Sequence, residues 1–335
     1  MLKVEEKNET QRVDSPILQV KGLKKHFPIE GILGKLGKKK GVVKAVDDVS
    51  FNLYEGETYG LVGESGCGKS TTGRSILRLI EPTEGQAVYN NKDIFQLNKS
   101  ELREIRKDLQ MVFQDPYSSL NPRKRIGQTI EEPLVIHGIG NANERTEMAM
   151  EILEKVGMRI DHYYRYPHEL SGGQRQRIGL ARALILDPKI IVADEPVSAL
   201  DVSIQSQVIN LLQHLQSELK LTYLFIAHDI SVVRHISNRI GVMYLGHLVE
   251  EADTDSLIEN PLHPYTKALL SAVPIPNPKH KKERIILKGD LPSPLNPPSG
   301  CVFHTRCPFA TDICKEKKPV IQETAPGHKV ACHLY

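Results

Sequence analysis

The stretch GESGCGKST, residues 63–71, satisfies G-x-x-x-x-G-K-[ST] at Gly63, Gly68, Lys69 and Ser70. It follows the short apolar run TYGLV (58–62) and opens the helix-like segment KSTTGRSILRLI (69–80), the strand-to-helix context in which this pattern has a mechanism. Glycines let the backbone curl with its N–H groups pointing inward, and the positive end of the following helix adds to the attraction for phosphate. Lys69 supplies a point charge for the terminal phosphates of a nucleotide, and the Ser70 hydroxyl is a ligand for Mg²⁺. Glu64, Ser65, Gly66 and Cys67 complete the loop and Thr71 continues into the helix. Only backbone matters at Cys67, so it is read as a small filler and not as a reactive thiol.

A second acidic element belongs with such a loop. In KIIVADEP (189–196) four apolar residues deliver Asp194 and Glu195 to a strand's C-terminal end, the edge at which α/β sheets bind ligands. Asp194 is expected to reach Mg²⁺ through water, and Glu195 to orient or deprotonate an attacking water.

The surrounding pattern predicts an α/β fold. TYGLVG, KIIVAD and TYLFIAH are short apolar runs bounded by polar or glycine residues, as buried strands of a parallel sheet are. Between the last two, Ile204, Val208, Leu211, Leu212, Leu215 and Leu219 mark one face of a helix. Upstream, ILQVKGLKKHF and VVKAVDDVSFNLYEGE alternate as edge strands do, around the loop-like PIEGILGKLGKKKG. Residues 1–16 are polar without an apolar core, so they are expected to be a disordered tail and not a signal peptide.

Of 335 residues, 40% are hydrophobic and 25% charged, ordinary globular composition. A net charge of +3 gives no electrostatic argument for nucleic acid or membrane, and no run approaches the ~18 apolar residues of a membrane span. The expectation is a cytoplasmic chain, in which disulfides are disfavoured.

The string LSGGQRQR (170–177) resembles the signature motif of ABC-transporter ATPases, and the family's other elements follow in order. Gln114 in MVFQDP resembles the Q-loop glutamine, Ser198, Ala199, Leu200 and Asp201 resemble the D-loop, and His228 in IAHD the switch histidine. Phe27 aligns with the aromatic that stacks on adenine, with neighbouring His26 as the alternative. The resemblance covers roughly residues 17 to 335. It implies a P-loop NTPase of ABC type: a RecA-like core sheet, an N-terminal antiparallel β subdomain, and a helical signature subdomain at about 115–180 within an ATPase domain of 17–255. It also implies that Ser171, Gly172, Gly173 and Gln174 face the γ-phosphate held by another ATPase subunit. Two ATPs would then be sandwiched head to tail, Gln114 joining Ser70 at Mg²⁺, and His228 helping Glu195 place the water. Read without the family, SGG is simply a helix N-cap with glycines, and a lone histidine after a strand is more often structural.

MVFQDPYSSLNPR, VADEPVSALDVSIQSQVINLL and NPLHPYTKALLSAVP are similar to the dipeptide/oligopeptide importer group, in its F-type subunit. His263-Pro264-Tyr265 is the most characteristic triplet of that group's C-terminal extension, expected at 256–335. The resemblance implies two membrane permease subunits, a D-type ATPase partner or a second copy, and an extracellular peptide-binding protein. Residues from Gln114 to about His137 would form the groove for a permease coupling helix, at the cytoplasmic face of the membrane. Alternatives are an importer for nickel or another small solute and, in another class, a soluble ATPase acting on nucleic acid or the ribosome. Near-neutral charge and a single nucleotide module stand against the last.

The segment 300–335 carries Cys301, Cys307, Cys314 and Cys332, spaced C-x5-C-x6-C-x17-C. That spacing matches neither the close pairs of most zinc sites nor the usual ferredoxin patterns. From spacing alone a zinc site, an iron–sulfur site and unligated thiols all remain open, with His304, His328 and His333 as spare donors. Four thiols in a segment of little apolar content suggest a metal-stapled mini-domain. The family resemblance implies a [4Fe–4S] cluster on the four cysteines, with Zn²⁺ as the alternative.

Overall fold

The computed structural model describes residues 15–29, 41–115, 119–273 and 284–335. The expected tail (but for its last two residues), the glycine- and lysine-rich loop of 30–40 and the connector PIPNPKHKKE (274–283) lie outside them.

A four-stranded antiparallel sheet is ordered β2-β1-β4-β5 from β1 (Leu18–Ile29), β2 (Gly41–Leu53), β4 (Glu84–Tyr89) and β5 (Lys92–Asp93). Between β2 and β4 the chain lays down β3 (Thr58–Val62) and helix α1 (Lys69–Ile76). Helix α1 packs between this sheet and a larger one. The eight-stranded sheet has the order β11-β12-β10-β9-β3-β8-β7-β6. Its parallel part comprises β6 (Leu109–Val112), β7 (Ile190–Asp194), β8 (Thr222–Ala227), β3 and β9 (Arg239–Tyr244). Strands β10 (His247–Asp253), β11 (Gln322–Ala325) and β12 (His328–Val330) extend it in antiparallel pairing.

The continuous apolar runs have their reason in the two faces of this sheet. Ile190, Val192, Leu224 and Ile226 pack toward the antiparallel sheet, while Ile191, Ala193, Tyr223 and Phe225 pack into a second core. Neither face meets water, so alternation with polar residues would be costly. The second core is covered by α3 (Ile126–His137), α4 (Ala142–Lys155), α5 (Gly172–Leu184) and α6 (Val202–Leu219). Helix α6 buries Val208, Ile209, Leu212 and Leu215, the face the periodicity predicts with Ile209 added. Helices α2 (Lys99–Asp108) and α4 begin with reciprocal caps, Asn98 with Glu101 and Asn141 with Glu144, satisfying orphan N–H groups. Helix α7 (Ile230–Ile236) packs under β3 and β8.

After β10 come α8 (Thr254–Glu259), α9 (Pro264–Ser271), and finally α10 (Asp312–Glu316) with β11 and β12. The C-terminal segment shares a sheet with the strands before it. β12 pairs with β10 at Glu250↔Val330, and the Ala331 N–H donates to the Val249 carbonyl at 2.9 Å. Nor is the tail poor in buried apolar surface: Val302, Phe303 and Val330 are buried. Phe303 stands edge-on to Tyr244 at 5.1 Å and tilted against Tyr265 at 5.5 Å, an aromatic cluster that anchors the tail in the second core. The metal-stapled mini-domain expected here is replaced by ordinary sheet pairing and aromatic packing.

Candidate functional site

Four neighbouring strands, in the order β3-β8-β7-β6, send their C-terminal ends to one edge of the sheet. They carry respectively the glycine loop, His228, Asp194 with Glu195, and Gln114. A cavity of about 690 Å³ opens there, lined among others by Gly66, Lys69, Ser70, Gln114, Glu195 and His228. Chain topology alone therefore brings residues from four distant segments together.

Gly68 caps α1 with φ +106°, and a Cβ there would stand 2.1 Å from the Ala45 carbonyl oxygen. Only glycine fits both the conformation and the approach of β2. Ser65, Gly66 and Thr71 also line the cavity. Lys69 Nζ donates to the carbonyls of Gly63 at 2.7 Å and Glu64 at 3.0 Å, so the loop holds its own ammonium ready beside the space. Cys67 is buried, which raises its thiol pKa, and it lies within 3.6 Å of Lys69 Nζ without facing the cavity.

The Ser70 hydroxyl donates to Asp194 Oδ1 at 2.6 Å, and Arg74 Nη2 lies 3.2 Å from Asp194 Oδ2. Two hard oxygen donors are thus side by side, the chemistry Mg²⁺ takes at a phosphate site where few protein ligands are needed. The residues present fit magnesium and a nucleotide triphosphate. Arg74 was not singled out from sequence; its place one helical turn after Ser70 is the signal that was available.

Glu195 has φ +46°, a left-handed conformation unusual outside glycine, fixed by its N–H bond to the Ile226 carbonyl at 2.9 Å. Gln114 Nε2 donates to Glu195 Oε2 at 3.0 Å, and His228 Nδ1 lies 3.3 Å from the same oxygen. Ser198 and Ala199 line the cavity too, and the Ser198 hydroxyl donates to the Glu195 carbonyl at 3.1 Å. Leu200 packs on the core, and Asp201 caps α6 by accepting the Ile204 N–H at 3.0 Å.

Ser171, Gly172, Gly173 and Gln174 are not brought to this cavity. Ser171 and Gln174 form a reciprocal cap on α5, and a Cβ on Gly173 would come within 2.6 Å of Ile204 Cγ2. Ser171 and Gly172 at the α5 N-terminus are exposed, and none of the four lines the cavity. Phe27 is not among the cavity's lining residues either; it is exposed on β1 opposite Val43, with Lys25 Nζ 4.6 Å from its ring. His26, the alternative, is held by Asp47 Oδ1 at 3.1 Å.

The cysteine expectation requires correction. Cys301 N–H donates to the Cys314 carbonyl at 2.8 Å, so the tail does fold on itself. Yet among the described residues no three of His, Cys, Asp and Glu are placed to hold one metal ion. Neither the iron–sulfur cluster nor zinc fits, and both assignments fall. Burial pushes the Cys301 thiol up to about 11, and it packs with Val302 and Phe303 as a small apolar side chain. His304 and His333 bond to backbone carbonyls, and His328 to Glu250.

Residues 46–198 match a family model described as ABC transporter, and residues 249–314 one described as oligopeptide/dipeptide transporter, C-terminal region. The oligopeptide transport ATP-binding protein AppF of Bacillus subtilis is 59% identical over 95% of this chain and 97% of that protein. The dipeptide transport ATP-binding protein DppF of Haemophilus influenzae is 51% identical over 95% and 97%. Among solved structures, the dimeric post-hydrolysis state of the ATP-binding cassette MJ0796 bound to ADP and Pi aligns with a TM-score of 0.62 and 32% identity. That alignment covers 71% of this chain and 98% of the cassette.

Proposed function

The chain belongs to the ABC-transporter ATPases, in the group of oligopeptide and dipeptide transport ATP-binding proteins, and from that premise we propose that it hydrolyses ATP to power peptide import through a membrane permease. The observation that carries the proposal is near-full-length identity to peptide transport proteins, joined to a site whose catalytic side chains converge.

Within the site, the glycine loop and the α1 N-terminus bind phosphates, and Lys69 turns from its carbonyl partners toward the terminal ones. Ser70 and Gln114, with Asp194 through water, would hold magnesium, which would supply neutralisation of phosphate charge. Glu195 accepts a proton from the attacking water, while His228 and Gln114 fix the carboxylate's direction. Phe27, exposed on β1 and outside the cavity lining, is assigned to the adenine by its place in the family pattern alone. The exposure of Ser171 and Gly172, outside this chain's own cavity, supports a role in trans, Ser171 to Gln174 closing on the γ-phosphate of a facing subunit, either a D-type partner or a second copy. Loss of that phosphate releases the pair, a two-state switch.

A cavity of about 240 Å³ supports the permease groove. Leu79, Phe113, Pro133, Ile136 and His137 line it, and Leu79 and Ile136 are exposed. A cytoplasmic coupling helix with an apolar face fits there. Among the described residues no helix is long and apolar enough to cross a membrane, so attachment through the permease supplies the membrane location.

The test is the ATPase rate of the assembled transporter with its binding protein. Di- and oligopeptides are expected to stimulate it; stimulation by nickel and not by peptides overturns the peptide reading.

A further inference from the structure

Glu64, the second residue of the glycine loop, has all three of its polar groups engaged. Its carbonyl accepts from Lys69 Nζ at 3.0 Å. Its N–H donates to Tyr265 Oη at 2.9 Å, and its carboxylate accepts from Arg306 Nη1 at 2.8 Å. The last two partners belong to the C-terminal extension, 201 and 242 residues away in sequence. The tail, remote in sequence from every nucleotide-binding residue, thus touches the phosphate-binding loop directly.

Both partners are built into the fold. Tyr265 is fully buried, its ring 4.8 Å from Tyr244 and 5.5 Å from Phe303. Arg306 lies over the Tyr244 ring at 5.9 Å, and its side chain is 10% exposed against 28% for Glu64. Helix α9, which presents Tyr265, is set by His263: its Nδ1 accepts the Tyr265 N–H at 3.1 Å, and its own N–H donates to buried Glu250 at 3.0 Å. The histidine, proline and tyrosine of the triplet thus cap, start and arm one short helix aimed at the loop.

We propose that Tyr265 and Arg306 are positioning residues for ATP binding: by fixing Glu64 they set the loop path that Lys69 and the loop N–H groups need to meet the phosphates. The proposal rests on the ATP-site assignment and adds the extension as a determinant of nucleotide affinity. The physical link is short. Releasing the Glu64 carboxylate and N–H frees its peptide planes to rotate, and the carbonyl on which Lys69 rests moves with them. A charge-assisted bond in a partly dry setting is strong enough to hold such a loop.

The experiment is titration of the full-length chain with a fluorescent ATP analogue and Mg²⁺, alongside thermal unfolding. Arg306→Gln is expected to raise Kd about five-fold, a change worth about 1 kcal/mol. Arg306→Lys should restore it to within about two-fold, since a cation still reaches the carboxylate. In the Glu64→Gln background the Arg306→Gln change should add little, because the pair acts as a unit. Val330→Ala loosens the extension at β12, away from the loop, and is expected to lower the unfolding temperature without weakening ATP. Equal loss of affinity in Val330→Ala and Arg306→Gln at matched stability, or an unchanged Kd in Arg306→Gln, overturns the proposal. Lys69→Ala distinguishes the two levels: if it binds ATP as tightly as the natural chain, the site assignment itself fails.

Discussion

His228 Nδ1 stands 3.3 Å from Glu195 Oε2, joining the ends of two adjacent parallel strands above the nucleotide space. Gln114 Nε2 reaches the same oxygen, so that among the described residues both contacts fall on Oε2 of Glu195. Replacing Glu195 with glutamine keeps the shape and removes the base. The ATPase rate is expected to fall by about 10²–10⁴ with Kd for ATP little changed. Stopped turnover with retained binding is the readout; a variant with more than about a tenth of the natural rate would remove Glu195 from the chemistry.

The fully buried carboxylate of Glu250 accepts N–H bonds from Leu262 at 2.7 Å and His263 at 3.0 Å and pairs with His328 Nε2 at 2.8 Å. One side chain thereby ties both parts of the extension to β10. Glu250→Leu leaves three buried polar groups without partners and should cost about 3–5 kcal/mol, lowering Tm on the order of 10 °C. Limited proteolysis should then cut within the extension first.

Phe303 fills the space between Tyr244, Tyr265 and His263. Phe303→Ala is expected to destabilise by about 3–5 kcal/mol through lost burial and a cavity, measured by denaturant unfolding. Phe303→Leu should recover a large part of it.

Burial pushes His263 down to about 3, reinforced by nearby Lys267, and His247 down to about 4 by burial and Lys318 against the pull of Asp47. Both are neutral in the fold but take up a proton when unfolded below their ordinary value. The unfolded state then binds more protons, so the stability is complete above pH ~6.5 and is lost as pH falls toward 4 and 3. Each histidine contributes a slope of up to about 1.4 kcal/mol per pH unit. Tm measured from pH 7.5 to 5 should fall, and His263→Asn, which keeps an acceptor for the Tyr265 N–H, should flatten the decline.

The nucleotide site was legible because its physics is local. A glycine turn, a lysine and a helix start lie within nine residues, and the apolar runs 190–193 and 222–227 lead directly to Asp194 with Glu195 and to His228. The signature residues were legible only through the family; locally Ser171 and Gln174 cap α5 and Gly173 admits Ile204, which accounts for those three residue types and leaves Gly172 without a local reason. Glu250 and Arg306 were not legible. They look like surface charges on paper, and only three-dimensional pairing across 78 and 242 residues gives them partners. The cysteines misled for a related reason. Four thiols in a short segment suggest ligands, whereas the burial of Val302 and Phe303 in a distant core, invisible in the spacing, supplies the anchor.

The most direct test of the account is uptake of a radiolabelled oligopeptide into proteoliposomes holding the assembled transporter, with nucleotide on the side of this subunit. Uptake is expected to require hydrolysable ATP with the natural chain and to fall to background when Glu195→Gln replaces it. Equal uptake with the variant, or with a non-hydrolysable ATP analogue, would contradict the claim that hydrolysis at this site powers peptide import.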